Sequence, residues 1–124
     1  DYVIATGKTT SVREFVQMAF AEVGISLNFC GENQNEEGTV AACSHPDYQL
    51  PKGNVVVRVD PNYHRPTEVD LLIGDATKCR EKLNWRPKYT LSQLIAEMME
   101  ADLKLFGKEK YLRDAGHDTL NYYE

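Results

Sequence analysis

The chain has 124 residues, of which 42% are hydrophobic, 10% aromatic and 27% charged. This is the composition of one soluble globular domain, and it excludes collagen, coiled coil and disorder. The net charge of -5 predicts no general attraction to nucleic acid or to an anionic membrane. The three cysteines have no Cys-x-x-Cys spacing, and no signal-peptide pattern or membrane-length apolar run occurs, so we expect reduced thiols in a cytoplasmic protein.

The first predicted elements are a strand, a helix and a second strand. Residues 2–6 are mostly apolar and run into Gly7, which predicts a strand and suggests a chain that starts in the middle of a fold. Ser11 and Glu14 have the capping-box spacing of a helix start, and Gly24 is placed to end that helix. Its apolar residues have the spacing of a one-sided helix: Val12, Phe15, Val16, Ala19, Phe20 and Val23. Alternating residues 25–30 predict a half-buried strand.

The middle of the chain has less periodicity. Residues 31–53 are rich in Gly, Asn, Glu and Pro, and we interpret them as a long surface loop. Residues 54–60 contain four valines, which favour an extended strand. Pro61 and Pro66 prevent the following residues from continuing as a helix.

Two helices are predicted in the last third of the chain. Asp75 is placed to cap a short helix that runs to about Leu83, with Cys79 and Leu83 on one face. The capping-box residues Thr90 and Gln93 open the longest helix. Gly107 is expected to end it, with another turn or two of helix around residues 111–115.

The segment from Arg65 to Glu68 carries the most informative chemistry. Arg65 adjoins Pro66, and its guanidinium matches the geometry of a phosphate or pyrophosphate. Glu68 matches the two adjacent hydroxyls of a ribose. These two residues could therefore bind two parts of one nucleotide. The alternative is a surface ion pair worth about 0–1 kcal/mol.

Two other groups of residues resemble functional motifs only superficially. Cys30, Cys43 and His45 match no common zinc spacing and lack a fourth ligand, so no metal site is predicted. Tyr48 and Lys52 have the Tyr-x-x-x-Lys spacing of short-chain dehydrogenases. In that spacing a helix normally brings the two side chains together, but Pro51 is incompatible with the interior of such a helix.

The sequence also lacks the usual means of binding a dinucleotide. Its eight glycines form neither Gly-x-Gly-x-x-Gly nor Gly-x-x-Gly-x-x-Gly, and no Walker lysine occurs. His64 and His117 have no evident Ser or Cys partner in the sequence, so we interpret both as solvated loop residues. No catalytic residue is predicted within this chain.

Five segments in register resemble the GDP-mannose 4,6-dehydratase family, a group of extended short-chain dehydrogenase/reductases. They comprise residues 2–7 with 11–16, 65–70 with 74–75, 83–87, 94–99 and 111–116. The resemblance implies an α/β fold, with a small mixed sheet and three to four helices. Residues 1–124 would form the C-terminal nucleotide-sugar-binding domain of a longer chain, with the N-terminal Rossmann domain absent from this one. The resemblance covers nearly the whole sequence.

The resemblance also implies a function. Arg65 would contact the diphosphate of GDP-mannose and Glu68 its ribose hydroxyls, while the missing Rossmann domain would bind NADP and supply the catalytic residues. The full enzyme, expected to be a homo-oligomer, would form GDP-4-dehydro-6-deoxy-mannose, and this chain alone would be inactive. Two departures are His64, often Tyr or Phe in the family, and residues 39–52, an insertion that some members lack.

Two alternatives stay open at this point. The first is a stand-alone, non-catalytic nucleotide-sugar-binding or interaction domain. The second is a sister enzyme that uses a different nucleotide sugar, which would be recognised by a preference for UDP or dTDP over GDP.

Overall fold

A computed structural model describes residues 1–63 and 72–119. The helices and strands are α1 (Val12–Glu22), β1 (Ile25–Cys30), β2 (Glu37–Cys43), β3 (Val55–Arg58), α2 (Thr77–Leu83) and α3 (Leu91–Asp114). Two short 3-10 turns occupy Asn33–Asn35 and Pro61–Tyr63. The predicted small α/β fold is confirmed. The strand pairings among the described residues are all antiparallel, where a mixed sheet was expected.

Helix α1 begins and ends as the sequence predicts. The Ser11 hydroxyl accepts a hydrogen bond from the Glu14 amide at 3.2 Å, and the Ser11 amide donates to the Glu14 carboxylate at 2.9 Å. These reciprocal bonds satisfy amides that the first helical turn leaves without an intrahelical acceptor. At the other end, Gly24 has a φ of +71°, a conformation that glycine adopts without steric cost.

The main core lies between α1 and the sheet. Ile25 and Leu27 of β1 and Val40 of β2 are buried. Partly buried apolar side chains of α1 and of its C-cap residue pack against them: Val16 and Phe20 in the helix, and Val23 at its end. Helix α1 also contacts α3. The predicted apolar face of α1 is therefore confirmed for these residues, whereas Val12 in the first turn is exposed.

Strand β2 contradicts the prediction that residues 31–53 form one surface loop. It is the central strand of the sheet, whose order is β1-β2-β3, and it pairs Val40 with Leu27. Gly38 is buried because Phe29 and Val57 occupy the space beside it, with atoms only 3.0–3.1 Å from where a Cβ would lie. The sequence of β2 contains a glycine and two adjacent alanines, so apolar and polar residues do not alternate along it. Its burial depends on the neighbouring strands, which the local sequence does not reveal.

The prediction of a strand over residues 2–6 is also wrong. A strand requires a hydrogen-bonded neighbour, and the three described strands pair only with one another. The predicted strands over residues 25–30 and 54–60 are confirmed as β1 and β3, although β3 is shorter than predicted.

The two C-terminal helices differ from the predictions mainly in their lengths. Helix α2 begins at Thr77 and stops before Asn84, which has a φ of +50°. Cys79 is buried, whereas Leu83 on the same face is exposed. The capping box at Thr90 is confirmed, but α3 continues through Gly107 to Asp114. One glycine costs a helix interior only about 1 kcal/mol, and here good helix formers flank it on both sides.

Candidate functional site

The predicted binding residues Arg65 and Glu68 lie outside the described residues, as does His64. The structure describes the chain on both sides of residues 64–71. We call residues 60–63 the upstream flank and residues 72–78 the downstream flank.

The upstream flank is a turn that directly follows β3. The Asp60 carboxylate accepts a hydrogen bond from the Asn62 amide at 2.8 Å. The Asp60 carbonyl accepts a second bond from the Tyr63 amide at 3.1 Å. Both bonds bend the backbone away from the strand direction. The Tyr63 side chain is 82% exposed at the end of this turn.

The downstream flank contains a turn of the same kind. The Asp75 carboxylate accepts a hydrogen bond from the Thr77 amide at 2.9 Å. The predicted cap at Asp75 is wrong by one position, because the N-cap of α2 is Ala76, whose side chain cannot accept a hydrogen bond. Hydrogen bonds from Thr77, with a smaller contribution from the positive charge of Arg80, lower the pKa of Asp75. Asp75 is therefore ionised throughout the neutral pH range. Arg80 also donates a hydrogen bond to the Thr77 hydroxyl at 2.9 Å.

The downstream flank packs directly against the first residues of the chain. A Cβ at Gly74 would lie 2.6 Å from the Ala5 Cβ and 3.2 Å from a Val3 methyl group, so only glycine fits without a shift. The Lys78 ammonium donates to the Asp1 carbonyl at 3.0 Å. It also lies 4.9 Å from the centre of the Tyr2 ring, within cation–π range.

Of the three residues considered as metal ligands, Cys43 and His45 make hydrogen bonds to the backbone, and Cys30 is exposed. The Cys43 thiol donates to the Tyr48 carbonyl at 2.8 Å, and the His45 ring accepts at Nδ1 from the Asp47 amide at 3.1 Å. Cys30 is exposed at the end of β1. Within residues 1–63 and 72–119, no group of three or more His, Cys, Asp or Glu side chains could hold a metal ion.

The remaining sequence candidates occupy loops. Tyr48 and Lys52 lie in the connection between β2 and β3 and not on a helix, as the presence of Pro51 predicts. The Tyr48 ring instead contacts the His45 ring, with their centres 4.4 Å apart. His117 follows α3 and is exposed. Among the described helices, none is long and apolar enough to cross a lipid bilayer.

A separate ion pair joins α1 to the residue that precedes β2. The Arg13 guanidinium donates to the Glu36 carboxylate, and this hydrogen-bonded charge raises the pKa of Arg13. The Arg13 guanidinium also lies 6.0 Å from the centre of the Phe29 ring. These contacts hold α1 against the end of β1 and lie outside both flanks. Sequence reasoning did not single out Arg13, because its partner Glu36 is 23 positions away.

The described residues form a small α/β domain, and the predicted binding residues Arg65 and Glu68 belong to the sequence between β3 and α2. Comparison with known protein families is more specific. The model of the GDP-mannose 4,6 dehydratase family matches residues 1–98, and the chain belongs to this family. The predicted resemblance is thereby confirmed, and the matched range includes residues 64–71.

Individual relatives support the same assignment. The chain is 44% identical to a GDP-mannose 4,6-dehydratase of Yersinia enterocolitica over 96% of its own length. It is 50% identical to one of Sinorhizobium fredii over 83% of its length, and 46% identical to the human protein over 85%. The chain spans 32%, 27% and 26% of these three relatives, respectively, which is about a quarter to a third of their length.

Proposed function

We propose that residues 1–124 form the C-terminal, nucleotide-sugar-binding domain of a longer GDP-mannose 4,6-dehydratase. Within it, Arg65 binds the diphosphate and Glu68 the ribose hydroxyls of GDP-mannose. The observation that supports this most is the family match, which spans both residues and both flanks. The charge types agree with it, because a guanidinium suits a diphosphate and a carboxylate suits a pair of hydroxyls.

The proposed reaction of the full enzyme converts GDP-mannose to GDP-4-dehydro-6-deoxy-mannose with loss of one water, which makes the enzyme a lyase. NADP would supply the hydride-transfer chemistry of this reaction from a site elsewhere in the enzyme. This chain contributes by holding the GDP portion. Binding energy from groups remote from the reacting carbons then orients the sugar, which is a general means of lowering a reaction barrier.

The capping of the described helices supports an NADP site in another part of the enzyme. A dinucleotide site normally uses free amides at a helix N-terminus, where the backbone attracts the pyrophosphate. Here the capping side chain of Ser11 already occupies that position at α1, as Thr90 does at α3. The Glu14 and Asp75 carboxylates add negative charge at α1 and near the start of α2. These features support the proposal that NADP belongs to another part of the enzyme, and the family resemblance is the basis for proposing the same of the catalytic residues.

Exposed apolar residues around the downstream flank also support a larger protein. Five of them are at least 46% exposed: Tyr2, Val3, Ile4, Leu72 and Ile73. Clusters of exposed apolar side chains mark interaction surfaces on soluble proteins. We propose that the cofactor-binding domain covers this surface in the complete enzyme, which we place in the cytoplasm as a homo-oligomer.

Replacement of Arg65 in the full-length enzyme tests the proposal. We expect Arg65→Ala to raise the dissociation constant for GDP and the KM for GDP-mannose about 30-fold, because loss of a charged hydrogen-bond pair costs about 2 kcal/mol. Arg113→Ala, which changes an exposed arginine in the last turn of α3, is the matched control. An unchanged KM in Arg65→Ala would remove Arg65 from the site.

Calorimetry with different nucleotides tests the substrate class. We expect the full-length enzyme to bind GDP more tightly than UDP or dTDP. A preference for UDP or dTDP would instead identify a sister enzyme. Binding of GDP-mannose by the full-length protein without conversion in the presence of NADP would favour a non-catalytic binding protein.

A further inference from the structure

Helix α3 carries a row of apolar residues that this domain does not bury. The residues are Leu94, Met98, Ala101 and Leu105, and we call them the α3 stripe. Its three large side chains are 39–47% exposed, and Ala101 is exposed as well. Along the described helix only Ile95 is buried. The α3 stripe is therefore free to contact another surface.

The spacing of the α3 stripe is that of a coiled-coil seam. Its members follow one another after four, three and four residues, which is the alternation of a heptad repeat. Because seven residues are close to two turns of helix, this spacing keeps the side chains in one row over about three turns. A second helix packs along such a row. The α3 stripe thus indicates a helical partner.

The charges beside the α3 stripe are self-complementary. Glu97 and Lys104 are exposed and lie on the same flank of it, since they are one heptad apart. If two copies of α3 pack antiparallel about a two-fold axis, this flank of one copy meets the same flank of the other. Glu97 of each copy then lies beside Lys104 of the other. Lys104 also pairs with Glu100 of its own helix, and an ammonium has donors for both carboxylates.

The same antiparallel register also pairs the apolar residues. Leu94 of one copy lies opposite Leu105 of the other, and Met98 lies opposite Ala101. A large side chain opposite a small one lets facing layers interdigitate. Apolar packing and charge pairing therefore agree on one register.

A parallel arrangement of the same two helices gives a poorer charge pattern. In parallel pairs a flanking residue meets one about five positions further along the other helix. Glu97 would then face Asp102, and these two carboxylates repel each other. Lys104 would face Glu109, so a favourable pair and an unfavourable one would offset each other. Charge complementarity therefore favours the antiparallel arrangement.

We propose that the α3 stripe is a contact between two copies of the enzyme, in which α3 pairs antiparallel with α3 across a two-fold axis. This inference rests on the proposed function only in that the full enzyme is a homo-oligomer. It is independent of the nucleotide, because no residue of the contact belongs to the proposed GDP site. A two-fold contact uses the same patch on both copies, which is the arrangement that self-complementary charges satisfy.

Sedimentation velocity of the full-length enzyme tests the contact. Leu105→Asp places a carboxylate in the middle of the paired helices, where it would be buried without a partner. We expect the mass of the assembly to fall by half. Leu103→Asp is the matched control, because Leu103 is 38% exposed on the opposite side of α3, and its mass should be unchanged. Melting temperatures establish that both variants are folded.

Reversal of the flanking charges tests the register without changing the apolar residues. Glu97→Lys alone and Lys104→Glu alone place like charges opposite each other, so each should raise the dissociation constant of the assembly roughly tenfold at low salt. The double variant exchanges the two charges and should restore association. Tighter association of Glu97→Lys would instead indicate parallel helices, since lysine would then face Asp102, and it would overturn the antiparallel contact.

Two further outcomes would overturn the inference. A Leu105→Asp enzyme of unchanged mass but lower melting temperature would show that the same chain covers the α3 stripe. A monomeric unmodified enzyme would remove both this contact and the proposed homo-oligomer. Neither result would bear on Arg65, whose role depends on GDP binding and KM.

Discussion

The region built from α1 and the sheet differs from the downstream flank in what holds it together. The first is organised around Ile25, Leu27 and Val40, which neighbouring elements bury almost completely. The second is fastened mainly by exposed polar groups, such as Asp75 and Lys78, that contact backbone atoms. Apolar burial thus fixes the fold, whereas polar contacts fix the chain next to the candidate site. Replacing a core side chain of the first region should therefore cost more stability than replacing an exposed polar side chain of the second.

The largest effect on stability is expected from Leu27→Ala. Leu27 is only 8% exposed, and removal of its side chain leaves a cavity between β1, β2 and α1. We expect the free energy of unfolding to fall by about 2–5 kcal/mol, measured by urea denaturation. Lys78→Ala should change it by less than about 1 kcal/mol. A similar loss of stability in the two variants would contradict the distinction between the regions.

A smaller effect is expected from Gly74→Ala, because a new methyl group would meet Ala5 at 2.6 Å. Overpacking of this kind costs about 1–3 kcal/mol. Gly107→Ala is the matched control, since nothing lies within 4 Å of a Cβ at that position in α3. The control should stabilise the protein by about 0.5–1 kcal/mol, as alanine favours helix. Equal melting temperatures for the two variants would show that the contact at Gly74 is not tight.

Local signals explain most of what the sequence predicts correctly. The two capping boxes involve residues three positions apart, Ser11 with Glu14 and Thr90 with Gln93, and both are present in the structure. The alternation along β1 likewise reflects a strand with one buried face. Such patterns depend only on near neighbours, so they can be identified in a sequence without knowledge of the tertiary fold.

Structural features that depend on residues far apart in the sequence could not be predicted from local patterns. Strand β2 owes its place to pairing with β1 and β3, and the buried position of Gly38 depends on Phe29 and Val57. The contacts of Lys78 with Asp1 join residues 77 positions apart. The chemistry of Arg65 and Glu68 could be predicted from residue type and family resemblance, but their joint grip on a nucleotide remains a proposal.

The smallest effect on stability is expected at the N-terminal cap of α1. The capping groups of Ser11 and Glu14 are exposed, although α1 itself packs on the core. Ser11→Ala should destabilise the protein by about 1 kcal/mol at neutral pH, measured by urea denaturation.

Hydrogen bonds from the Ser11 amide and hydroxyl lower the pKa of Glu14 below its ordinary value of 4.5. A lowered pKa in the folded state means that the Glu14 contribution is complete above pH 4.5 and is lost as the pH falls through the folded-state value. Because Ser11→Ala removes the hydroxyl bond and keeps the amide bond, its acid-dependent loss of stability should be smaller than that of the unmodified protein. Identical acid dependence in both proteins would mean that the Ser11 hydroxyl does not contribute to the ionisation of Glu14.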